Sequence, residues 1–185
     1  MRDRTLAWSA PALALMVLAI LLTRGAGESG VRMAVRATAR TSAVFLCLAL
    51  ASHALAAEHP LALRRPGLVR SLAVSHGLHL LVVLRLAGLT GGASLAARAS
   101  PLNVVGGVLA YAVLAVALFR PEHRLVDRGL FLVWVAFLFS YAPRALREPF
   151  VYGPFAAALL AALGLRIAGA LARRPLAAPG EDLAT

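Results

Sequence analysis

The chain has 185 residues, of which 61% are hydrophobic and 15% charged, and its mean hydropathy is +0.80. A water-soluble domain of this size cannot hide that much apolar surface, so the composition excludes a soluble globule and points to one membrane-embedded domain. The net charge of +11 is carried by 19 arginines and no lysine. These arginines fall between apolar runs instead of clustering with aromatics on one face, which argues for anchoring in a lipid bilayer and for no nucleic-acid partner.

In chain order, the first apolar run follows Arg2 and Arg4 and predicts a helix over 6–23. It is longer than a secretory h-region, and Thr23-Arg24-Gly25 is a poor cleavage context, so it reads as a retained helix. Arg32, Arg36 and Arg40 then recur every fourth residue and predict a basic stripe at a headgroup surface ahead of a second helix over 41–57. Glu58-His59-Pro60 ends it. Arg64-Arg65-Pro66-Gly67 introduces a third helix over 68–89, which carries His76 and His79. Pro101 opens a fourth over 102–119, and Arg120-Pro121-Glu122-His123-Arg124 breaks it. A fifth over 129–146 and a sixth over 151–171 complete an all-α bundle of about six transmembrane helices spanning 1–174, with a disordered tail over 175–185.

Runs three and five are the shortest between charged or proline boundaries, so snorkelling by Arg70, Arg85, Arg128 and Arg144 must supply length, and both helices are expected at the bundle centre. With the amino terminus inside, eleven arginines fall on the inner side and eight on the outer, which favours a cell-membrane protein with both termini cytoplasmic. Cys47 reads as a small buried hydrophobe, Gly91-Gly92 as a loop and Gly106-Gly107 as a close helix contact. Nucleophile triads, phosphate-cradling glycine loops and paired catalytic carboxylates are absent from the sequence.

An imidazole at membrane depth is costly unless bonded, which singles out His53, His76 and His79. Three-residue spacing puts His76 and His79 about 60° apart on one helical face, so they address the same neighbour and cannot take opposite axial positions on one iron. His53 is expected at a depth similar to His76, while His59 and His123 read as solvated. The alternative is structural: hydrogen bonds from His76 and His79 to Ser71, Ser75 or a neighbouring helix would hold the bundle together.

Arg40-Thr41-Ser42-Ala43, Arg64-Arg65-Pro66-Gly67-Leu68 and Ser75-His76-Gly77-Leu78-His79-Leu80 resemble the ferric-reductase-like transmembrane domain family over roughly residues 35–170. That resemblance implies a six-helix bundle binding haem b between central helices and passing electrons across the membrane, supplied by a separate electron-donor protein or by quinone. His79 or His76 falls on the family's helix-three ligand, with His53 as the candidate opposite ligand and Arg70 and Arg128 as propionate partners. The chain departs where the family has a histidine opening helix five, because Asp127 stands there. His53 or His123 then substitutes, or the iron is five-coordinate, or the chain is a haem-free member serving as a small-molecule permease, scaffold or assembly partner.

Overall fold

The computed structural model describes residues 4–93 and 101–172, and the regular elements among them are all helical. There are six long helices, α1 (Arg4–Arg24), α2 (Glu28–Ser52), α4 (Arg65–Leu89), α5 (Pro101–Phe119), α6 (Arg124–Arg147) and α7 (Pro149–Ala172), and a single helical turn, α3 (Pro60–Leu63), lies between α2 and α4. Five of the six are long and apolar enough to cross a membrane. The sixth, α5, has 19 residues and extends about 28 Å at 1.5 Å per residue, close to the hydrocarbon thickness. The protein is a multi-pass, all-α membrane protein. The expected tail over 175–185 lies outside the described residues.

Proline punctuates the chain as its chemistry requires. Pro60 and Pro66 occupy the first turns of α3 and α4, and α5 and α7 begin at Pro101 and Pro149; there the missing N–H is one the helix would leave unpaired anyway. His59 and His123, expected as solvated side chains, are exposed but cap helices: the Nδ1 atoms accept the Leu61 and Leu125 backbone N–H groups at 3.1 and 3.2 Å. At the far end of α4 the Gly92 N–H donates to the Ala87 carbonyl at 2.8 Å while Gly91 and Gly92 take φ of +57° and +83°. This Schellman-type closure needs a left-handed residue and confirms the expected loop.

Around the bundle, α2, α4, α5, α6 and α7 each pack on the next and α7 returns to α2, closing a five-helix ring; α1 lies outside it against α2 and α4. The expectation that helices three and five form the centre is only half met. The closest pair is α2 with α4, and α6 faces α4 across the ring without close backbone approach. Small residues explain the pairing, since Ala34, Thr38, Ser42 and Ala49 of α2 and Ser71 and Ser75 of α4 are all buried and let the two backbones come together.

Helix lengths also differ from the apolar runs. α4 and α6 have 25 and 24 residues, whereas α5 is shortest at 19. α2 starts at Glu28 instead of Thr41, which places the arginine stripe inside the helix. Helix ends are set by backbone hydrogen bonding and caps, and arginine has high helix propensity with a long stem, so charge marks a rim only loosely. The core between the ring helices holds Leu46, Leu50, Leu72, Leu130 and Leu159, each under 2% exposed. Leu130→Ala should therefore cost about 2–5 kcal/mol, read as a lowered unfolding midpoint of the detergent-solubilised protein.

Candidate functional site

A seam of hydroxyls runs between α2 and α4. Ser42 Oγ and Ser75 Oγ are 2.9 Å apart, and Thr38 Oγ1 lies 3.0 Å from His79 Nδ1. Thr38 and Ser42 also bond back to the Ala34 and Thr38 carbonyls at 2.8 and 2.9 Å, so hydroxyl protons have acceptors within their own helix. When Thr38 donates to Ala34, His79 must donate its Nδ1 proton to Thr38 and keep Nε2 as an acceptor. A third pair, Ser9 with the buried Ser71 at 2.7 Å, ties α1 to α4.

One turn below His79, His76 projects into the ring. Its imidazole centroid lies 5.3 Å from that of His79, 4.8 Å from Tyr111 of α5 and 5.1 Å from Phe137 of α6. His76 Nδ1 is fully buried and has no hydrogen-bond partner. From Phe137 the ring contacts continue to Tyr141 at 6.2 Å, and Tyr141 packs on Tyr152 and Phe155 of α7 at 6.0 and 5.6 Å. A connected series of rings thus joins α4, α5, α6 and α7 through the interior.

At the α2–α7 side of this series stands Arg40, midway along α2. Its guanidinium carbon is 5.7 Å from the ring centroids of both Tyr152 and Phe155, and that of Arg144 is 5.8 Å from Tyr152. The ion pairs among the described residues are Arg32 with Glu28 and Arg65 with Asp127, so neither Arg40 nor Arg144 has a carboxylate. Arg40 Nε is buried and without a hydrogen-bond partner. The guanidinium lies level with Tyr152 in the first turn of α7 and with Arg144 in the last turn of α6, so it reaches from the middle of α2 toward the rim where α6 and α7 meet, where a buried arginine costs less than at the bilayer centre. Each aromatic face returns about 0.5–2 kcal/mol, and neither face can accept the in-plane Nε proton.

The residues singled out in the sequence separate in space. Ser42 opposite Ser75 and Thr38 opposite His79 fix the antiparallel register of α2 and α4. His53 caps the end of α2, eleven residues beyond Ser42 and about 16 Å farther along the axis at 1.5 Å per residue. The expected common depth of His53 and His76 is therefore not found, and the two do not face each other. Arg70 is tied to α5, its Nε donating to the Leu118 carbonyl at 3.3 Å, while Arg128 is exposed in the first turns of α6. Asp127 pairs with Arg65 at the same rim, and its carbonyl accepts from Arg166 Nη2 at 2.8 Å. Since Phe137 is the α6 residue against His76, position 127 is ten residues, about 15 Å, from the His76 level, and even a histidine there would not oppose it.

Some functional geometry escaped sequence reasoning. Arg40 looks like the last member of a surface stripe, and its partners Tyr152 and Phe155 lie over a hundred positions away in the sequence. Gly106 and Gly107, expected at a close helix contact, have no neighbour within 4 Å of where a Cβ would stand. The close approaches are at Gly129, beside Val113, and at Gly169, beside Ala54. Cys47 is half-buried and packs against the main core, in keeping with its reading as a small hydrophobe.

These positions bear on a haem b held between two histidines. His76 offers a free buried nitrogen, but the rings of His79, Tyr111 and Phe137 already pack against its imidazole, and neither His53 nor His123 comes opposite it. A macrocycle held between two axial ligands does not fit this arrangement. Comparison with known proteins adds no constraint: no family model, no curated protein and no solved structure matches the chain.

Proposed function

We propose that this is a haem-free, six-helix membrane protein that binds an organic anion within the bilayer, with Arg40 as the anchor for its carboxylate or phosphate. The observation that carries this reading is the buried, unpartnered Nε of Arg40, whose side chain leaves the middle of α2 toward the end of the bundle where α6 and α7 meet. An ionisable group held inside a membrane without a counter-charge is the usual mark of a substrate or ion site. Arg144 adds a second cation beside Tyr152, and the rings of Tyr152 and Phe155 supply aromatic surface beside it for the rest of the molecule. The orientation belongs to the same reading: both termini lie on the cytoplasmic side of the cell membrane, supported by the eleven-to-eight arginine distribution.

The test is photolabelling of the protein in proteoliposomes with a diazirine-bearing fatty acid, competed by unlabelled fatty acid. Saturable label should appear on α7 around Tyr152 and Phe155 and fall by about tenfold or more in Arg40→Gln, as expected for loss of a charge-assisted hydrogen bond. Label that does not saturate, or that Arg40→Gln leaves unchanged, overturns the reading.

A second reading, haem b electron transfer with a donor protein or quinone, is favoured by the unpartnered His76 Nδ1 and by the family resemblance. Protein purified from haem-supplemented cells is expected to be colourless. A Soret band with a sharp reduced α-band, both lost in His76→Ala, would restore haem as the ligand.

A further inference from the structure

At the rim where α5 ends and α4 and α6 begin, a cavity of about 400 Å³ opens between Pro66, Arg70, Phe119, Arg120, Glu122 and His123. It is separate from the Arg40 cluster and does not depend on the reading given to it. Two of its walls are cationic. Arg70 is held in place by its bond to the Leu118 carbonyl, and Arg120 is exposed and forms no ion pair among the described residues. The first turns of α4 and α6 start at the same rim, where the positive ends of the two helix dipoles add to the potential. Arg64, Arg65, Arg124 and Arg128 flank the lining in sequence at the starts of α4 and α6, against Glu122 in the lining and Asp127, which is already paired with Arg65. Beside the mouth, Phe119 and Leu125 are 78% and 62% exposed and form an apolar ledge.

We infer that this cavity holds the phosphate headgroup of an anionic phospholipid, with the acyl chains lying over Phe119 and Leu125. The depth is that of the headgroups, because α5 ends at the rim just before the cavity-forming turn. The cationic excess selects an anionic headgroup over a zwitterionic one, and the apolar ledge selects a lipid over a soluble phosphate.

The test uses the full chain in detergent, titrated with phosphatidylglycerol or with phosphatidylcholine and read by native mass spectrometry. Wild-type protein should retain phosphatidylglycerol preferentially. The preference should fall about fivefold in Arg120→Gln and roughly thirtyfold when Arg70→Gln is added, at the usual worth of a cation near a lipid surface. Arg120→Lys should keep it, which separates lost charge from lost folding, and Arg36→Gln, exposed in the opposite half of the bundle, should leave it unchanged. Equal retention of the two lipids, a change below threefold in the double variant, or competition by glycerol 3-phosphate as strong as by the lipid would overturn the assignment.

Discussion

Arg40→Met should make the protein more stable, not less, while abolishing anion binding. The sign follows from the bonds Arg40 has and lacks. Its charge has no carboxylate among the described residues, and its Nε proton is buried without an acceptor. The stacking on Tyr152 and Phe155 returns only part of the desolvation cost. Methionine keeps most of the apolar stem that packs between α2 and α7 and removes the charge, so the unfolding midpoint in detergent should rise by the equivalent of about 1 kcal/mol or more. A residue kept for its chemistry at the expense of stability behaves this way. If Arg40 were structural, its replacement would lower the midpoint instead, and thermal unfolding measured beside photolabelling separates the two cases.

Much of the fold was legible because lipid imposes simple rules. Apolar runs, with Pro66 and Pro101 marking two of the starts, located every long helix, and the six-helix, all-α bundle follows from them. Helix boundaries were less legible where charge and backbone structure part company. Arg32, Arg36 and Arg40 look like a rim yet lie within α2, because arginine is a good helix former and its cost at depth depends on aromatic neighbours the local sequence does not contain. The site was legible in one half only. The spacing of His76 and His79 correctly put both on one face, but the partner across the ring depends on the register of α2 against α4, which is set by hydroxyl pairs such as Ser42 with Ser75. That register carries His53 to the rim. Asp127 shows the same limit: its identity was plain, but its pairing with Arg65 rested on two helices meeting at one end of the bundle.

The other large effect is expected at Gly169, where α7 crosses the chain leaving α2. A Cβ built there would stand 2.6 Å from the Ala54 Cα, 2.9 Å from its Cβ and 2.9 Å from its carbonyl oxygen. Two of those atoms are backbone, which cannot rotate away as a side-chain tip can, so the helix or the loop must shift. Gly169→Ala should cost about 1–3 kcal/mol by overpacking, although alanine is the better helix former, and Gly169→Val should cost more. Gly164 on the same helix is exposed with nothing within 4 Å of its hypothetical Cβ. Gly164→Ala should therefore stabilise by up to about 1 kcal/mol through helix propensity alone. Opposite shifts in unfolding midpoint for the same substitution five residues apart would place the inner end of α7 against Ala54. Equal shifts would mean that the α2–α7 closure of the ring is looser than this packing requires. Tyr152 and Phe155 sit near the other end of α7, so the Gly169 variants should still take up the anion at Arg40 below their lowered midpoints. Stability and binding would then respond to different ends of the same helix.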